Sequence, residues 1–136
     1  FIERERKRDA MRVVHQVAEA LQQGDVIAMF PEGTTSDGTG LLPFHANLLQ
    51  AAVATGVPVQ PVALRFSDAA SAVSPAAAYI GDMTLVASLW AIVRARDLTV
   101  TVTRLPPLAT AGLERREVSE AVRRDIAVAL GLPPDA

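Results

Sequence analysis

The apolar run Val26-Ile27-Ala28-Met29 passes without a break into Phe30-Pro31-Glu32-Gly33-Thr34-Thr35-Ser36, and no other passage restricts the fold of this chain so tightly. A compact apolar stretch bounded by turn residues predicts a short buried strand over residues 25–30. Pro31 has no N–H to continue a ladder and Gly33 admits a sharp reversal, so the strand must give way to a turn there. That turn is rich in hydroxyls and main-chain donors and holds one carboxylate. The amides of Gly33, Thr34 and Thr35, with the hydroxyls of Thr34 and Thr35, are predicted to converge on an anion beside Glu32. The competing reading is a solvated strand-to-helix loop, which is what an isolated Pro-Glu-Gly usually marks.

The rest of the chain alternates helix and strand signals. Ala10, Met11, Val14, Val17, Ala18 and Leu21 recur at helical spacing before Gly24, predicting a helix over residues 8–22 with Arg8, Arg12, Gln16 and Glu19 on its solvated side. A second helix is expected from His45 to Thr55, stopped by Gly56. Residues 57–66 read as a strand in which Pro61 demands an edge or a bulge. The Ser/Ala-rich residues 67–78 read as a surface excursion. Asp82 is expected to cap a helix reaching about Arg96, with Leu85, Val86, Leu89, Trp90 and Val93 on one apolar side. Leu98, Val100 and Val102 alternate with Thr99, Thr101 and Thr103, the clearest strand signal present. Val118, Ala121, Val122, Ile126, Ala129 and Leu130 form the stripe of a final helix ended by Gly131 and Pro133, its charges facing water. Strands separated by helices predict parallel neighbours, hence an α/β layered domain with a mostly parallel central sheet flanked by helices.

Composition narrows the function classes. A 136-residue chain that is 50% hydrophobic and 21% charged describes one globular domain or part of one. A net charge of −2 and little aromatic interleaving exclude a general nucleic-acid binder. With no cysteine there is no disulfide, thiolate nucleophile or thiolate-bound zinc, and two isolated histidines offer no metal site. No run reaches the roughly 18 apolar residues of a membrane-crossing helix.

Residues 30–36 resemble the Phe-Pro-Glu-Gly-Thr-Arg-Ser block of the glycerolipid acyltransferases, departing only at Thr35. Phe1-Ile2-Glu3-Arg4 resembles that family's Phe-Ile-Asp-Arg block with Glu3 for Asp, and Val57-Pro58-Val59-Gln60-Pro61-Val62 its Val-Pro-x-x-Pro-Val strand. The resemblance covers about the first half of the chain. The family's Asn-His-x-Ser-x-x-Asp block, which supplies the catalytic base and its orienting carboxylate, is missing, since Ala20 and Gln50 stand five residues beyond His15 and His45. The expectation is therefore a carboxy-terminal piece of a longer enzyme, residues 1–66 being the carboxy-terminal half of the acyltransferase core and 67–136 the remaining sheet and helix region of the same domain, its sheet incomplete at the amino terminus, with no catalytic residue of its own and no activity alone.

The resemblance implies transfer of an acyl chain from acyl-coenzyme A or acyl-carrier protein, as co-substrate rather than resident cofactor, to the free hydroxyl of a lysophospholipid such as 1-acylglycerol-3-phosphate. It implies a membrane surface as partner, at the cytoplasmic face of the inner membrane. Arg4 would grip the acceptor headgroup, where a guanidinium makes paired hydrogen bonds to phosphate or carboxylate. Glu32 would accept from a glycerol hydroxyl or fix Arg4, and Gly33, Thr34, Thr35 and Ser36 would complete the headgroup site. Thr35 in place of arginine weakens a purely phosphate-directed grip, and residues 30–38 also resemble the acyltransferases of lyso-ornithine lipid, whose headgroup is an amino acid. A non-catalytic lipid-binding domain is the third reading. Pro43-Phe44-His45 stands where the family tends to have Pro-Phe-Lys, so His45 is either a headgroup or donor contact or a plain surface residue.

Overall fold

The computed structural model describes residues 2–133, with side chains from Met11 onward. Helix α1 (Ile2–Gln22) is followed by an irregular stretch to a 3-10 turn at Ala46–Leu49, which runs into the short helix α2 (Gln50–Thr55). Strand β1 (Val62–Ser67), a second 3-10 turn at Pro75–Ala77, helix α3 (Leu85–Arg94), strand β2 (Thr99–Arg104) and helix α4 (Arg115–Ala129) complete the order. Gly56 ends α2 at φ +69°, the left-handed conformation that a residue without Cβ adopts without strain.

The core forms where α4 crosses the 3-10 turn and β1. Val118, Val122 and Ile126 meet Leu49 and Ala63, ringed by Met29, Leu41, Phe44, Val53, Val59, Leu105, Leu108 and Leu130. Val118, Val122 and Ile126 of the stripe expected on the last helix are thus buried, while its Ala129 is exposed. Thr110 is fully buried and donates its hydroxyl to the carbonyls of Val57 at 2.9 Å and Ala52 at 3.2 Å, tying the approach to α4 to the end of α2. At the other end of α4, the Arg65 guanidinium of β1 donates to the Leu130 carbonyl, placing a cation where the helix carbonyls point outward.

Three expectations are corrected. First, the described residues hold one two-stranded sheet and it is antiparallel, pairing Val62 with Arg104 and Ser67 with Thr99, so the mostly parallel central sheet is not seen. A helix between two strands permits a parallel crossover but does not compel one, and here the strands run back on each other. Second, residues 25–30 form no strand. No described strand pairs with them, and Val26 is 96% exposed. Third, α3 is capped by Thr84, whose hydroxyl accepts from the Ala87 amide at 3.2 Å, and not by Asp82. The apolar side of α3 faces outward, as does the Val62, Leu64, Phe66, Val100 and Val102 face of the sheet. Helix α1 also begins earlier than the expected residue 8. Pro61 behaves as anticipated: it separates the isolated bridge Val59–Leu108 from β1 and contributes only its carbonyl, to Leu105.

The excursion over residues 67–78 is organised by Asp68, which accepts from the amides of Ala70 and Ser71 at 2.8 Å each and from the Ser74 hydroxyl. The Ser74 hydroxyl, then the Ala70 amide, holds the Asp68 carboxyl below its ordinary value of 3.8. A depressed folded-state pKa stabilises the turn fully above that value and loses its contribution as pH falls through the lowered one. The Ala70 and Ser71 amide resonances should therefore stay fixed down to about pH 4 and move only below it. A transition midpoint above the ordinary carboxylate value in an NMR titration would contradict this. No helix among the described residues is long and apolar enough to cross a membrane.

Candidate functional site

Residues 30–43 form a loop whose two ends are anchored in the same core. Met29 precedes it, and Leu41 and Phe44 lie at its close, all packed against the cluster around Val118. The His45 amide donates to the Pro31 carbonyl at 2.8 Å, closing the neck. Inside the loop the Phe30 carbonyl accepts from the Gly33 amide at 3.1 Å, and Gly33 takes φ +69°. The turn anticipated from Pro31 and Gly33 is therefore present.

Glu32 is half-buried and its Oε2 accepts from the Leu42 amide at 2.9 Å, across ten residues. The carboxylate closes the loop on itself. The other side of that closure comes from α4: the Arg123 guanidinium donates through Nη2 to the Leu41 carbonyl at 2.9 Å and through Nε to the Leu42 carbonyl at 3.3 Å. An anion thus takes the N–H of residue 42 while a cation takes the carbonyls of 41 and 42. Charge-assisted hydrogen bonds of this kind are about twice as strong as neutral ones. Arg123→Ala should raise amide exchange at Leu42 and His45 by roughly 10- to 100-fold, as expected for losing bonds worth about 1.5–3 kcal/mol, while exchange along α4 stays as it was. Equal protection in the variant, read by hydrogen-exchange mass spectrometry or NMR, would show that the loop does not depend on this residue.

The tip is divided differently from the sequence expectation. The Gly33 amide is spent on Phe30, so it does not join a converging set of donors. The Ser36 hydroxyl accepts from the Gly38 amide at 3.2 Å, and Asp37 Oδ1 accepts from the Thr39 amide at 2.9 Å and its hydroxyl at 2.7 Å. The Thr39 amide, followed by the Thr39 hydroxyl, lowers the Asp37 carboxyl below its usual range. What remains outward are the amides and hydroxyls of Thr34 and Thr35, both exposed and neither used in the bonds that shape the loop. The guanidinium of Arg4, expected to approach Glu32, lies outside the described side chains. His15 is exposed and sits 3.8 Å from Glu19 on the next turn of α1. Two open hollows of about 410 and 390 Å³ lie elsewhere, one beside Gln50, Val53 and residues 113–116, the other beside Leu105, Pro106 and residues 124, 125 and 128, and neither includes the loop.

Sequence reasoning missed Arg123, which it placed among solvated charges. Its position beside the stripe residue Val122 was the available signal, because a long side chain bordering a buried face can reach over the core edge.

The stretch of sequence that carries this loop is similar to that of known proteins. A family model described as Acyltransferase matches residues 1–65, and the chain belongs to the glycerolipid acyltransferase family. Among its relatives, the 1-acyl-sn-glycerol-3-phosphate acyltransferase of Neisseria gonorrhoeae is 41% identical over 102 residues, covering 75% of this chain and 40% of that protein. The lyso-ornithine lipid O-acyltransferase of Pseudomonas aeruginosa is 33% identical over 124 residues, covering 90% and 47% respectively. That of Brucella abortus is 31% identical over 140 residues, covering 93% and 52%. The chain thus spans about half the length of the curated relatives it matches. No solved structure matches it.

Proposed function

We propose that the complete protein transfers an acyl chain from a thioester donor, acyl-coenzyme A or acyl-carrier protein, to the free hydroxyl of a lysophospholipid. The observation that carries this reading is the closed loop of residues 30–43, which offers the free donors of Thr34 and Thr35 on a frame held by Glu32 and Arg123. In such a transfer the acceptor oxygen bonds to the carbonyl carbon, the carbon–sulfur bond breaks, and the hydroxyl proton passes through a base to the departing thiolate. This chain contributes acceptor placement. Glu32 is engaged with Leu42, which makes it a residue of orientation and leaves the base to a histidine of the block that residues 1–136 do not contain. The acceptor and product are both lipids, so the reaction is assigned to a membrane surface, at the cytoplasmic face of the inner membrane.

Lyso-ornithine lipid is the second acceptor reading. Thr35 in place of a cation, and the match to the Pseudomonas protein over 90% of this chain, both favour it. Protein expressed from the complete reading frame should esterify at least one of the two acceptors, 1-acylglycerol-3-phosphate or lyso-ornithine lipid, when given acyl-coenzyme A or acyl-carrier protein. The ratio of kcat/KM between them assigns the headgroup. Lack of turnover with both acceptors and both donors would overturn the proposal.

A further inference from the structure

Glycine at position 33 has a reason beyond the turn. A Cβ placed there would stand 3.0 Å from Cδ2 and 3.2 Å from Nε2 of His45, closer than side chains normally approach. The imidazole therefore lies edge-on against the Gly33 backbone, while the His45 amide holds the Pro31 carbonyl. His45 straddles Glu32, gripping the residue before it by main chain and covering the residue after it by ring. The hydrogen bonds that close and shape the loop run through Glu32, Ser36, Asp37, Thr39 and Arg123, and none uses either ring nitrogen. His45 is exposed, and its Nε2 edge lies beside Gly33, the residue that precedes Thr34 and Thr35.

We propose that His45 is an acceptor-binding residue, its Nε2–H donating to an anionic oxygen of the lipid headgroup that the Thr34 and Thr35 donors also engage. The inference rests on the acyl-transfer reading and adds a contact to it. Among the described side chains, the charges around the loop leave this role open. Arg123 is turned to the Leu41 and Leu42 carbonyls, Glu32 to the Leu42 amide and Asp37 to Thr39, so none of these side chains supplies a donor at the tip. Thr35, where the family block carries arginine, brings a hydroxyl and no charge. An imidazole N–H over Gly33 gives the headgroup a directional donor at this tip. The ligand chemistry is an anionic oxygen, phosphate or carboxylate, and the two acceptors tell them apart.

The test is steady-state kinetics of the complete enzyme with 1-acylglycerol-3-phosphate and with lyso-ornithine lipid. His45→Ala should raise KM for the acceptor that the enzyme uses by about 10- to 100-fold, the loss of one hydrogen bond to a charged group, with the donor KM and the melting temperature little changed. His45→Gln, which keeps an N–H donor of similar reach, should recover a substantial part of that loss. Gly33→Ala should reproduce the acceptor defect, because its methyl displaces the ring. An acceptor KM within twofold of wild type in His45→Ala, a defect confined to the donor KM, or a melting-temperature loss that His45→Gln does not relieve would each overturn the assignment while leaving acyl transfer intact. A wild-type enzyme inactive on both acceptors would instead remove the reading beneath it, and the His45 contact with it.

Discussion

Glu32→Ala is expected to lower kcat/KM of the complete enzyme by about 100-fold or more, while Glu32→Gln retains most of the activity. The carboxylate closes the loop through the Leu42 amide, and a glutamine carbonyl oxygen accepts the same hydrogen bond in nearly the same volume. Removing the acceptor altogether leaves a half-buried N–H without its partner, at a cost of about 1–3 kcal/mol, and frees the segment that presents Thr34 and Thr35. Misplacing donors by even about 1 Å is enough for losses of this order. If the carboxylate instead receives the acceptor hydroxyl as its chief task, the glutamine and alanine variants fall together. Parallel assays of the two substitutions therefore separate loop closure from direct contact.

The second large effect concerns the core. Val118 is fully buried where α4 meets Leu49 and Ala63, and Val118→Asp puts a carboxylate there with no partner. Burying an unpaired charge costs several kcal/mol, a large part of the roughly 5–15 kcal/mol that holds a domain together. The expected result is loss of a cooperative thermal transition, or a midpoint lowered by well over 10 °C, followed by circular dichroism. Val128→Asp provides the control, since Val128 lies on the same helix but is 66% exposed. Its effect should stay within about 0.5 kcal/mol. A comparable melting temperature for both variants would mean that this face of α4 is not the core.

Much of this arrangement could be read from the residues because it depends on local signals. The stripe of α4, the Gly56 stop and the Thr/Val alternation of β2 each follow from spacing alone, and each is present. The sheet was misjudged because pairing is a long-range property. Residues 25–30 have the composition of a strand, but a strand exists only against a partner, and no described strand pairs with them. Antiparallel pairing of β1 and β2 likewise leaves no trace in either segment. In the loop, the turn at Gly33 was legible, while the destinations of its donors were not. Nothing in the order of residues tells that the Gly33 amide folds back onto Phe30, or that Glu32 reaches forward to Leu42. His45 showed itself as a residue out of place in a family pattern, and only coordinates put its ring against Gly33.

Arg123 holds carbonyls that precede it by more than eighty positions, and it stands outside residues 1–65, the stretch that the family model matches. The recognisable motif and the mechanical unit therefore do not coincide. A shortened protein cut where the signature fades would keep every diagnostic letter of the loop and lose the strut that gives it shape. Grafting the loop into another scaffold would need a guanidinium brought in from a distant helix.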